Sequence, residues 1–189
     1  TLVLSNALRP ADAAAAAAPL YTAFAASCAL APHAATATRP KAALAIAAAA
    51  YVPYVAAFAL RLRRRALVGM SVLGGLAGAV MWTAQGVYLS RNAAALAAEV
   101  QSRTSSDPPA ASMRGKALDL LAGVFTVVFT LSLAAGKQLA ALSLSVRPDS
   151  PGLAYALLCV LAVVATAMLM CVRDLPPAPA ERAGEAALR

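Results

Sequence analysis

Acidic residues are the scarcest working material in this chain, with 8 Asp and Glu against 16 Lys and Arg and a single histidine in 189 residues. The acids fall in predicted loops, helix ends or the tail, which leaves no paired carboxylates for acid–base catalysis. Cysteine is also sparse: Cys28, Cys159 and Cys171 lie in apolar stretches without CxxC spacing, which argues against a disulfide framework or a thiolate metal site. They read as small buried hydrophobes, with Cys171, near a helix end, the one position suited to acylation. His33 follows Pro32 and reads as a loop or helix-end residue, not as a metal ligand. With no phosphate loop or nucleophile constellation either, the reading is non-enzymatic, with no cofactor and no metal site.

What is abundant is apolar. The chain is 61% hydrophobic and 13% charged, with a mean hydropathy of +0.72, outside the range of ordinary soluble domains. The charges are segregated and leave uncharged stretches at residues 13–38, 42–60, 66–90, 120–136 and 150–172. A helix rising about 1.5 Å per residue needs roughly 17 to 25 apolar residues to cross a hydrocarbon core about 30 Å thick. Lipid satisfies no backbone N–H or C=O, so isolated runs of this kind become helices, and the short alternating strands of a β-barrel are not visible. The fold class is therefore all-α: a polytopic membrane bundle of about five helices, with spans near 13–38, 42–60, 66–90, 117–143 and 150–172. The first span is the least apolar, since residues 13–18 are alanine and Pro19, Pro32 and His33 share the stretch. The net charge of +8 is spread between spans instead of collecting on a soluble module, which fits a lipid bilayer partner and not nucleic acid.

In the third stretch Gly74, Gly78, Trp82 and Gly86 recur every four residues and share a helix face. Gly74 and Gly78 form a small-xxx-small pattern that permits a close crossing, with Gly86 extending the groove. Gln85 lies between Trp82 and Tyr88, and its carboxamide needs partners that lipid lacks. An interhelical hydrogen bond is one reading, and the lining of a cavity by Trp82, Gln85 and Tyr88 is the other. An interfacial aromatic belt competes for Trp82 and Tyr88.

The string Trp82-Thr83-Ala84-Gln85-Gly86-Val87-Tyr88-Leu89-Ser90 resembles the signature of the fourth transmembrane helix of the uncoordinated-ninety-three family. Residues 20–32, opening on Leu20-Tyr21 and closing on Ala31-Pro32, are similar to that family's second helix, and Tyr51 and Tyr54 to tyrosines of its third. Arg39-Pro40-Lys41 stands where the family often has Gly-Pro-Lys, and arginine there argues against a loop position suited to positive φ; Gly136-Lys137 stands where Gly-Asn is common. The resemblance implies a major facilitator fold, of which residues 1–172 would be a partial N-terminal half: the tail of helix one, then helices two to six. The missing second half would be a partner. It also implies an accessory or regulatory role for channels or receptor trafficking. The alternative is a transporter of a small solute, with Trp82, Thr83, Gln85, Gly86 and Tyr88 as family-motif or cavity-lining residues.

Lys137 follows 17 uncharged residues, roughly 26 Å of helix, and so can snorkel to the far interface. Residues 91–116, with Asp107-Pro108-Pro109, read as a polar linker, and residues 173–189 as a flexible tail or the start of a central loop. Arg61, Arg63, Arg64 and Arg65 read as anchors to anionic headgroups, with a specific lipid or partner site as the alternative. Short arginine-rich loops normally stay cytoplasmic, which opposes the orientation the resemblance implies.

Overall fold

The computed structural model describes residues 10–33, 39–103, 110–146 and 151–171. Among the described residues there are five long helices: α1 (Pro10–Cys28), α2 (Pro40–Ala59), α3 (Arg64–Arg103), α4 (Ala110–Val146) and α5 (Pro151–Cys171). Among the described residues there is no strand. Four helices among the described residues carry stretches long and apolar enough to cross a membrane: Pro40–Ala59, Arg64–Arg103, Ser112–Val146 and Gly152–Cys171.

The first span expected at 13–38 is shorter than its charge gap. Its apolar helix, Ala14–Cys28, gives way to a turn in which Leu30 N–H donates to Ser27 O at 3.0 Å. The turn covers residues 29 and 30 and residues 31–33 are helical again, so the uncharged stretch outlasts α1. Residues 34–38 lie outside the described residues, as does the expected tail at 173–189.

Helix α2 begins where Arg39 replaces the glycine of the resembling sequences. Arg39 is extended, at φ −63° and ψ 133°, with Pro40 at the start of the helix, so arginine is unstrained there. The left-handed residue is instead Arg61, at φ 51°. Arg61 N–H donates to Phe58 O at 3.3 Å and Leu62 N–H to Ala57 O at 3.1 Å, the paired bonds of a Schellman ending, with Leu62 packed against the core. Glycine is the usual occupant because a Cβ costs about 1–2 kcal/mol in this conformation. Arg61→Gly should therefore raise the stability of the reconstituted protein by about 1 kcal/mol, after glycine's own entropic cost. A lower unfolding midpoint would contradict this ending of α2.

Helix α3 has 40 residues, about 60 Å, twice the hydrocarbon thickness. Residues 91–103, expected within the polar linker, are helical, and α4 already begins at Ala110. Two physical causes carry α3 past its last apolar turn: alanines at 93–95, 97 and 98, the best helix formers, and an exposed Glu99–Arg103 ion pair of 2.6 Å at i,i+4. Residues 104–109 lie outside the described residues.

Packing centres on α3, which touches α1, α2 and α4, while α5 lies against α2 and also meets α4. The main core joins Leu20 of α1, Tyr54 and Phe58 of α2, Leu67 of α3, Ala140 of α4 and Tyr155 of α5. Its aromatic rings follow one another: Tyr51 to Tyr54 at 5.2 Å, Tyr54 to Phe58 at 5.5 Å and Phe58 to Tyr155 at 5.5 Å. A smaller cluster of Ala43, Leu44 and Ala84 joins the start of α2 to the later part of α3. Several serine and threonine hydroxyls bond back to their own helices: Ser71 Oγ, fully buried, donates to Leu67 O at 2.8 Å, and Thr126 and Thr166 bond back one turn in the same way.

Burial is uneven across the spans. In the most apolar stretches of α2 and α3, 39% of each is buried, against 6% in α4 and 11% in α5. Large apolar side chains on α4, among them Leu120, Val124, Val127, Val128 and Leu131, are exposed.

Candidate functional site

The glycines of α3 act by proximity. A Cβ on Gly74 would meet Tyr54 Cγ of α2 at 2.8 Å, and one on Gly78 would meet Phe24 Cδ2 of α1 at 3.3 Å. The stripe thus receives two helices. Its tightest member, Gly75, is one that the four-residue spacing misses: a Cβ there would run into the backbone carbonyl of Leu20 and lie 2.9 Å from Phe24 N. The Gly74-Gly75 pair was the available signal. Gly86 does not extend the groove, because it is exposed and a Cβ would meet nothing within 4 Å. Leu20 lies at Gly75 and Phe24 at Gly78, so α1 runs parallel to α3; after Phe24 it has only four residues left, about 6 Å, whereas Gly86 lies about 12 Å beyond Gly78.

Trp82 is 44% exposed and binds α4 instead of lining a cavity. Its ring stands edge-on to Phe125 at 6.4 Å and to Phe129 at 5.3 Å, and those two rings stack at 5.7 Å. Sequence reasoning missed Phe125 and Phe129, although their i,i+4 spacing marks one face of α4. Tyr88 packs instead on the Ala43, Leu44 and Ala84 cluster, toward α2. Six residues of helix separate Trp82 from Tyr88, a turn of about 600°, so the rings point roughly 120° apart and enclose no common cavity.

The polar members of the string divide as well. Thr83 Oγ1 donates to Ala79 O at 3.0 Å within its own helix. Gln85 is partly buried and makes no interhelical hydrogen bond among the described residues. Ser90 Oγ accepts from an Arg114 guanidinium N–H at 3.1 Å, tying the end of the string to the start of α4.

Arg61, Arg63, Arg64 and Arg65 are exposed at the turn from α2 to α3. Lys137 is exposed one turn before Ala140, which shares the main core with Leu67, so it lies toward this arginine end. On the outer side of α4, Asp119, Leu120, Gly123, Val124, Val127 and Val128 line a shallow, almost wholly apolar groove of about 450 Å³. A Cβ on Gly123 would meet nothing within 4 Å.

A family model described as Ion channel regulatory protein UNC-93 matches residues 8–183. No curated protein and no solved structure matches. With a match over nearly its whole length and four membrane-length apolar helices, the chain belongs to the ion channel regulatory protein UNC-93 family and is an integral, multi-pass membrane protein.

Proposed function

We propose that this chain is a non-enzymatic accessory protein that regulates an ion channel, or escorts a receptor, by docking one of the client's transmembrane helices on the outer face of α4. The carrying observation is the contrast in burial: α4 is apolar around most of its circumference yet has 6% of its most apolar stretch buried. Gly123 lies in its groove with open space above it, and small residues let helix backbones approach where packing, not hydrophobicity, drives association in lipid. Trp82, Phe125 and Phe129 hold the opposite side of α4 to the bundle, leaving the groove outward. We read residues 1–172 as part of one half of a facilitator-type fold; the membrane-length helices α2 to α5 support this.

The test compares two activities in one preparation. Current through a co-reconstituted channel should change when the full chain is present, and solute flux through the chain alone should stay at the background of empty vesicles. Flux through the chain alone that disappears in Gln85→Ala, with folding retained, would establish the transporter alternative instead.

A further inference from the structure

The turn joining α2 to α3 places four guanidiniums within five residues, all exposed. None pairs with an acid among the described residues; the Arg103–Glu99 pair lies at the far end of α3. Helix stability does not explain the charge. Cations are favoured near helix C-termini and disfavoured at N-termini, yet Arg64 and Arg65 open α3. Arg61 adds the cost of a left-handed backbone. Leu62, the apolar member of the run, is turned against the core, so the turn sorts into one inward leucine and an outward set of cations.

A guanidinium offers five donors and no acceptor, and its fork matches phosphate oxygens two at a time. The chemistry that satisfies such a corner is a phosphate oxyanion. Position selects its source. Leu67, two residues beyond Arg65, is 2% exposed and already in the main core, and Gly152 at the start of α5 lies against Ala59 of α2 at the same end. Just inside come the exposed apolar residues Leu153, Val160 and Leu161 of α5. The cluster therefore marks the boundary of the apolar surface, where lipid phosphates are concentrated.

We propose that Arg63, Arg64 and Arg65, with Arg61 at the rim, form a binding site for the phosphate of an anionic lipid headgroup. The site rests on the membrane-spanning architecture and not on the client-docking role. It is tested with the full chain in nanodiscs of phosphatidylcholine containing a minor fraction of phosphatidylglycerol, by measuring the enrichment of phosphatidylglycerol in the lipid that stays bound on extraction. The wild-type chain should enrich it, and Arg63→Gln/Arg64→Gln/Arg65→Gln should lower that enrichment roughly ten-fold. Arg39→Gln/Arg91→Gln/Lys116→Gln, which removes the same charge from the other end, should leave it intact. Equal loss in both variants, or retention in the first, overturns the site. Inorganic phosphate added to pure phosphatidylcholine discs separates the sources: a rise in melting temperature matching that given by phosphatidylglycerol would overturn the lipid assignment. If the triple variant does not fold, Arg64→Gln is read the same way, and enrichment unchanged from wild type overturns the proposal.

Discussion

Gly75→Ala should separate α1 from α3 and lower the stability of the reconstituted protein by about 3 kcal/mol, the upper part of the usual range for overpacking. The added methyl meets backbone, the Leu20 carbonyl and Phe24 N, which no rotamer change can move aside. In lipid this matters more than loss of hydrophobic area, because close backbone approach is itself the source of helix association. Gly78→Ala should cost less, since its 3.3 Å neighbour is the ring of Phe24. Gly86→Ala should be neutral or slightly stabilising, since it meets nothing and alanine is the better helix former. Unfolding midpoints of the three variants in one bilayer decide the matter. Equal midpoints for Gly75→Ala and Gly86→Ala would mean that α1 is not seated on α3 as described.

Tyr54 gives the second large effect, and its sign depends on the replacement. The residue is 1% exposed and touches the Gly74 backbone, Tyr51 and Phe58. Tyr54→Ala should cost about 3 kcal/mol, at the low end for an aromatic truncation, because lipid rewards burial less than water does. Tyr54→Phe keeps the ring and removes a buried hydroxyl that has no hydrogen-bond partner among the described residues. It should be neutral or stabilising by up to about 1 kcal/mol. A loss comparable to that of Tyr54→Ala would show that the hydroxyl, not the ring, holds this junction.

Where spans lie was readable from charge segregation alone, because burying a charge in lipid is costly and the gaps between charges therefore outline α2, α3, α4 and α5. Where helices stop was not. Alanine and an ion pair continue α3 into the region read as linker, while α1 ends at Cys28 inside an uncharged gap. The candidate site was legible in its residues but not in its pairings. Spacing marked Gly74 and Gly78 as contacts, but only the neighbour's position shows that Gly75 is tighter and that Gly86 has no neighbour. Trp82 stood out as a functional aromatic, but its partners Phe125 and Phe129 are about forty-five residues away in sequence and were invisible to a local pattern. Arginine at position 39 argued against a positive φ there, and the backbone is extended; the left-handed residue, Arg61, carried no such signal, because the geometry of the helix ending sets its angle.

The most direct test of client docking on α4 is the current through a co-reconstituted channel with wild-type chain and with Gly123→Leu. The substitution adds bulk to the groove lined by Val124, Val127 and Val128, at a position where a Cβ meets nothing within 4 Å. The prediction is an unchanged melting temperature together with loss of the chain's effect on the current. An undiminished effect on the current in Gly123→Leu would contradict docking at this face.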